Sequence, residues 1–186
     1  MSNYISASYV YVIPPILGSF VLISLSLISF LRSNKNSTNV LSAALCFLGA
    51  LINADVAAVS LIADKSLALK VDRAHYFFSV FSLPVLIQFV HAFTGVSRRG
   101  WLEYLAYFFS LVFLFFTSSS FFISGLQTYS FGTIAKAGPV FHAFAVVSGA
   151  TVLYCCSTLF FAMKKAKENA QKNRIKYIMG GIGLIT

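Results

Sequence analysis

The chain has 186 residues and a formal net charge of +9; 58% of its residues are hydrophobic, 16% are aromatic and only 10% are charged. Soluble domains carry about 25% charged residues, so this composition excludes a chain that covers itself with a water-facing surface. The basic residues lie in short segments between apolar stretches rather than along one face, which excludes nucleic-acid binding as the reason for the positive charge.

Five long apolar stretches follow one another along the chain, and each is long enough for a membrane-spanning helix, which needs about 20 residues. We therefore predict an all-α fold, a polytopic transmembrane helix bundle forming a single domain over 1–186. The predicted spans are 9–31, 40–63, 74–96, 102–126 and 138–163, with part of a sixth at 177–186. Because about ten residues of helix cross only half of a bilayer, we expect a longer polypeptide with a seventh span.

The distribution of lysine and arginine orients these spans. The segments that follow spans one, three and five carry ten basic residues, whereas the segments on the opposite side carry four. Cytoplasmic loops are enriched in lysine and arginine, so the N-terminus is predicted to lie outside. The inner basic residues are Arg32, Lys35, Arg98, Arg99, Lys164, Lys165, Lys167, Lys172, Arg174 and Lys176. The last six of them are expected to contact anionic membrane lipids.

Pro84 lies in the middle of the third predicted span, unlike the prolines that open spans one and five. Proline removes one backbone hydrogen bond and clashes with the carbonyl four residues earlier. Membrane helices tolerate this at kinks. We therefore predict a helix kink at Pro84.

Asp55 is the only acidic residue away from the end of a predicted span, since Glu103 is the second residue of span four, and it lies in the outward half of span two. Ionisable side chains inside a membrane are costly and usually face a bundle interior or a wet cavity. The functional hypothesis is a polar sensing pocket that opens outward and is built from Asn53, Asp55, His75 and His142. The alternative is that Asp55 is solvated at the outer interface, nine residues before Asp64.

The other residues that could carry chemistry do not form a recognisable site, so we predict no catalytic residue, no cofactor and no metal site. His91 and His142 lie at different depths, about 25 Å and about 5 Å below the outer face, so they cannot ligate one haem iron. Cys155 and Cys156 are adjacent, point about 100° apart on a helix, and make a poor metal pair. We expect no enzyme within these residues.

Three segments carry a resemblance to a known family. They are RAHYFFSVFSLPVLIQFVHAFTG at 73–95 followed by the basic pair, the outer loop from Phe131 and Gly132 to GPVF at 138–141, and NRIKYIMGG at 173–181. Together they resemble the N-terminal seven-transmembrane sensor region of bacterial histidine kinases.

The resemblance implies a sensory input domain in the bacterial cytoplasmic membrane, one that relays a membrane or extracellular cue to a cytoplasmic kinase or other output domain of the same polypeptide. It also implies a homodimer. The sequence departs from a whole kinase because it contains no kinase domain, phospho-acceptor helix or nucleotide motif. The alternative function is a small multi-pass transporter or a transporter-associated subunit, although the internal repeats typical of transporters are not visible.

Overall fold

The computed structural model describes residues 2–32, 36–96, 100–129 and 132–185, and the side chains of 11–32, 36–96, 100–129 and 133–181. Within these ranges the chain is mostly helical. The elements are α1 (Ser2–Leu31), α2 (Ser37–Leu61), α3 (Lys65–Ser79), α4 (Ser82–Thr94), α5 (Gly100–Thr117), β1 (Ile123–Tyr129), β2 (Gly132–Ala137), α6 (Pro139–Lys165) and α7 (Asn169–Ile185).

Five helical segments in this part of the chain are long and apolar enough to cross a membrane: Tyr11–Leu31, Ser37–Leu61, Lys65–Thr94, Gly100–Thr117 and Pro139–Lys165. The helix faces that point away from the bundle carry exposed apolar side chains, for example Phe20, Phe115 and Leu153. A face of this kind is unfavourable in water and favourable against lipid tails. The basic residues Lys35, Arg98 and Arg99 lie outside the described residues.

The helix ends follow local sequence signals. Asn36 and Asp64 each cap the helix that follows, accepting a hydrogen bond from the backbone amide two residues on. Pro139 occupies the first turn of α6, where its missing amide costs nothing. Gly95 ends α4 with a left-handed φ of 71°, which glycine adopts without a Cβ clash.

The prediction of a wholly helical fold is wrong between 118 and 137. Helix α5 ends at Thr117 instead of 126, and β1 and β2 then form an antiparallel hairpin. Phe131, one of the residues that carried the resemblance, lies outside the described residues. The hairpin is fixed to the bundle by Phe122 and Ile123, both completely buried. It therefore packs against the end of the bundle that was predicted to be the outer one.

Gly138 allows the chain to pass from the hairpin into α6. A Cβ at this position would lie 2.2 Å from the Phe121 carbonyl oxygen, well inside van der Waals contact. The close approach lets the Gly138 amide donate to the Phe122 carbonyl at 2.8 Å. Glycine is required here because of this proximity.

The third span is longer than predicted and is broken. It begins at Lys65 rather than 74, and its helix is interrupted at Val80 and Phe81, just before Pro84. Residue 84 has no amide to donate to the Val80 carbonyl, which is four residues earlier. The hydroxyl of Ser110, on α5 and fully buried, donates to that carbonyl at 2.7 Å.

The break separates two apolar cores. The core next to the hairpin is rich in aromatic residues, with Val80, Phe113, Phe122 and Ile123 at its centre. We call it the outer core and the other the inner core, after the predicted orientation. The inner core is mainly aliphatic, and its buried residues are Ile87, Val90, Ala106, Cys155, Leu159, Ala166 and Ile175. Each core joins one half of the broken span to its neighbouring helices.

Helix α1 packs on α2 through small and polar residues. Ser19 donates to the Ala50 carbonyl at 3.1 Å, and Ser26 donates to the Ala43 carbonyl at 2.8 Å. A Cβ added to Gly18 would lie 2.9 Å from the Asn53 side-chain oxygen. Close backbone approach and interhelical hydrogen bonds of this kind are typical of helices packed in membranes.

Candidate functional site

Asp55, Asp72 and His75 form a largely buried polar cluster in the half of the bundle that contains α3. We call it the outer cluster, after the orientation predicted from the sequence. Asp55 comes from α2, and the other two residues come from α3. One ligand atom from each residue can be chosen so that all three lie within 4.8 Å of one another. The Nδ1 atom of His75 lies 3.4 Å from Oδ2 of Asp55.

The sequence places the last two residues together because positions i and i+3 share a helix face. Ser79, one further turn along α3, forms a hydrogen bond with Nε2 of His75. This contact fixes the imidazole so that Nδ1 points toward Asp55. The orientation of the ring is therefore set by α3 itself.

Arg73 connects the outer cluster with the hairpin. Its guanidinium donates to the Ile123 carbonyl at 2.8 Å, across fifty residues of sequence. The positive charge of Arg73 acts on the carboxylate of the neighbouring Asp72. The two carboxyl groups of the outer cluster therefore have one fixed cation, Arg73, beside them.

Two of the four residues predicted for a sensing pocket do not join the outer cluster. Asn53 donates to the Gly49 carbonyl at 2.9 Å and packs against Gly18 of α1. It is two residues from Asp55, which places the two side chains about 200° apart around the helix. His142 is exposed on α6. Asp55 and His75 are the two predicted residues that the structure brings together.

Asp72 was missed in the sequence because 64–73 was assigned to a loop. The signal that could have found it is the capping residue Asp64, which accepts from the Ser66 amide at 2.8 Å and starts α3. A helix that begins at Lys65 places Asp72 on the same face as His75, three residues later, and Asp72 is buried there. The alternative of a solvated Asp55 also conflicts with its burial, since only 8% of the residue is exposed.

A second polar group, the inner network, lies in the other half of the bundle. His91 of α4 contacts Glu103 of α5 at 2.6 Å through Nδ1 and the Tyr154 hydroxyl of α6 at 2.8 Å through Nε2. A neutral histidine can donate at one nitrogen and accept at the other. The inner network therefore joins three helices through one buried ring.

Two cavities flank the inner network. One, of about 590 Å³, is lined by His91, Glu103 and residues of α2 and α4. The other, of about 550 Å³, is lined by Tyr154 together with residues of α4, α6 and α7. Neither of these cavities is lined by a residue of the outer cluster.

The two polar groups differ in their chemistry. In the outer cluster, the carboxylate oxygens and the imidazole nitrogen form a donor set that could hold a cation. In the inner network, each of the three groups already has a partner, so it is suited to joining helices. The Ser79 hydroxyl contacts the imidazole of His75, but Ser79 is only 6% exposed, so we assign this contact to the packing of α3 rather than to nucleophilic chemistry.

We found no family model that matches the chain, and no match to it among the curated proteins or the solved structures with which it was compared.

Proposed function

We propose that this chain is the membrane-embedded sensory input domain of a bacterial signal-transduction histidine kinase. In this proposal the N-terminus and the hairpin lie outside the cytoplasmic membrane, and the inner network lies near the cytoplasm. A cue acts at the outer cluster and changes the packing of the inner helices. The output domain follows in the same polypeptide.

The observation that carries the proposal is the broken third span. Its outer half, α3, holds Asp72 and His75, and its inner half, α4, holds His91. The helix interruption at Val80 and Phe81 lies between them. A small change in the angle between α3 and α4 would therefore move His91 relative to its partners.

Movement of α4 has a route to the cytoplasmic side. His91 contacts Tyr154 on α6, and α6 leads through Ala166 and Lys167 into α7. Ala166 and Ile175 are buried in the inner core together with Val90 of α4. A sensor needs two helix arrangements whose populations a cue can shift, and this chain of contacts connects the outer cluster to the inner end.

The orientation in the proposal rests on charge. Ten of the 14 lysine and arginine residues fall in the segments assigned to the inner side, as cytoplasmic loops require. Among the four on the other side, the guanidinium of Arg73 is engaged by the Ile123 carbonyl. A reporter fused after 96–100 tests the assignment, and its exposure on the outside would contradict it.

Coupling between the two halves is tested by hydrogen exchange on the chain in lipid nanodiscs. Asp55→Asn replaces one carboxyl group of the outer cluster by an amide, and we expect altered exchange in 91–96 and 163–170. Asp64→Asn is the matched control, because asparagine also caps a helix and Asp64 is exposed. Changes confined to α2 and α3 would contradict the proposal.

The identity of the output is tested separately, by the coding sequence downstream of Thr186. The proposal predicts a seventh span followed by a kinase or related signalling domain. A full-length product without a cytoplasmic signalling domain would remove the sensor assignment.

A second candidate function is a cation transporter or a subunit of one. It is favoured by the outer cluster, because buried ionisable groups often mark ion pathways in membranes. Flux in proteoliposomes that is lost in Asp55→Asn would support transport. Inner-end exchange that changes without flux would support sensing.

A further inference from the structure

We infer that Asp55, Asp72 and His75 bind a divalent first-row transition-metal ion, with Zn²⁺ as the reference ion. The three residues supply two carboxylates and one imidazole. Calling this ion the cue rests on the proposed function, whereas binding of the ion can be tested independently.

The spacing of the ligand atoms fits such an ion. Zinc binds nitrogen and oxygen ligands at about 2.0–2.2 Å, which places neighbouring ligands of a tetrahedral site about 3.4 Å apart. His75 Nδ1 and Asp55 Oδ2 are 3.4 Å apart. One ligand atom from each of the three residues lies within 4.8 Å of the other two, so small side-chain rotations would complete the site.

One polar atom of each of the three residues lacks a hydrogen-bond partner outside the cluster, in the part of the chain that the structure describes. Asp55 Oδ1, Asp72 Oδ2 and His75 Nδ1 are buried and find no hydrogen-bond partner outside the cluster, within which the two carboxyl groups contact each other. Asp72 is 4% exposed and Asp55 is 8% exposed, so solvent does not satisfy these oxygens. Buried polar atoms without partners are costly. A bound cation would contact all three.

The charges of the cluster and of Arg73 also favour a bound cation. The two carboxylates face each other within the cluster, and Arg73 is the cation that acts on Asp72. One guanidinium offsets one carboxylate, and its NH2 group is directed at the Ile123 carbonyl. A metal ion between the two groups would offset the repulsion between their ionised forms.

The surroundings of His75 match those of a metal ligand. Histidine ligands are usually held by a hydrogen bond from the other ring nitrogen, which fixes the tautomer and the ring orientation. In this chain Ser79 contacts Nε2 and leaves Nδ1 directed toward the carboxylates. Ser79 is therefore a positioning residue.

The donor set selects the class of ion. Ca²⁺ and Mg²⁺ prefer oxygen ligands only, whereas imidazole suits Zn²⁺, Ni²⁺, Cu²⁺ and Fe²⁺. Three protein ligands leave at least one coordination position for water or another small ligand. We expect Zn²⁺ to bind in the presence of excess Mg²⁺ and Ca²⁺.

Binding is tested with the chain in lipid nanodiscs by Zn²⁺ titration calorimetry and Co²⁺ absorption. We expect one ion per chain. Asp72→Asn and His75→Gln should each lower the affinity by about 100-fold or more, because even the loss of a residue that only hydrogen-bonds a metal ligand costs about 10–100-fold. Ser79→Ala should lose about tenfold. The matched controls Asp64→Asn and His142→Gln change exposed residues and should bind like the unaltered chain.

A variant that gains an absorption band on binding distinguishes a changed ligand from a loss of binding caused by misfolding. Asp72→Cys replaces an oxygen ligand by a thiolate, and bound Co²⁺ should then show a sulfur charge-transfer band absent from the unaltered chain. Failure of the unaltered chain to bind, or equal losses in the controls, would overturn the inference.

The outcomes for metal and function are separable. Binding without a change in hydrogen exchange at 163–170 supports the metal site and contradicts its role as the cue. No binding, with Asp55→Asn still altering exchange at the inner end, overturns the metal site and leaves the sensor proposal standing.

Discussion

Replacing Ser110 by alanine is expected to destabilise the bundle through a single carbonyl group. The Ser110 hydroxyl is completely buried and donates to the Val80 carbonyl at 2.7 Å. Since residue 84 is proline, no amide stands four residues after Val80 to take its place. Ser110→Ala therefore leaves a buried acceptor without a donor.

The magnitude follows from two reference values. An unsatisfied buried polar group costs about 1–3 kcal/mol in soluble proteins. Interhelical hydrogen bonds in a membrane average about 0.6 kcal/mol, with a maximum near 1.7 kcal/mol. Because loss of one hydroxyl creates little empty volume, we expect a fall of about 1–2 kcal/mol in the free energy of unfolding.

A second substitution tests the reason. In Pro84→Ala the amide of residue 84 becomes able to donate to the Val80 carbonyl, and the break can close. Ser110→Ala in that background should then cost less than about 0.5 kcal/mol, giving a coupling energy of about 1 kcal/mol. Additive effects of the two substitutions would refute the explanation.

The assay is reversible unfolding in mixed micelles by dodecyl sulfate, followed by far-ultraviolet circular dichroism. Ser148→Ala is the matched control, because the Ser148 hydroxyl donates to Phe144 of its own helix at 2.8 Å. That carbonyl already accepts a helical amide, so the control should cost little. A loss in Ser148→Ala as large as in Ser110→Ala would also refute the prediction.

Three further predictions use the same unfolding assay. Gly138→Ala should lower the free energy of unfolding by about 2 kcal/mol or more, because its Cβ would lie 2.2 Å from the Phe121 carbonyl oxygen. Gly149→Ala is the control and should not destabilise the chain, because its Cβ would meet no atom of a neighbouring element within 4 Å. Glu103→Gln removes the charge from a 2.6 Å contact in the inner network and should cost about 1–2 kcal/mol; an unchanged stability would contradict a structural role. Gly18→Leu should separate α1 from α2 and cost about 1–3 kcal/mol, seen also as weaker cross-linking between these helices.

Much of the helical framework could be predicted from the sequence, because a membrane span is set by length and apolar composition. The hairpin could not be predicted by that criterion. Residues 104–135 contain no charge, so hydropathy alone continues the helix past Thr117. The chain instead turns there and buries Phe122 and Ile123 against the bundle, which is a tertiary effect that composition does not report.

The candidate site was predicted in part. Asp55 stood out as a lone acid, and its contact with His75 matches the expected pairing. Asn53 could have been excluded from helical geometry, since positions i and i+2 do not face the same side. Asp72 could be assigned to the site only by predicting that α3 begins at Lys65. Its burial depends on packing between α2 and α3, which no local pattern specifies.

The aromatic and aliphatic cores, which meet at the break in the third span, also bear on how the folded chain comes apart. Cooperative unfolding units tend to follow contiguous packing, and here the packing is divided in two. The half with Phe113 and Phe122 can loosen while Val90, Leu159 and Ile175 remain packed. The bundle would then lose its structure in two steps, and a partly opened form would keep the half around the inner core intact.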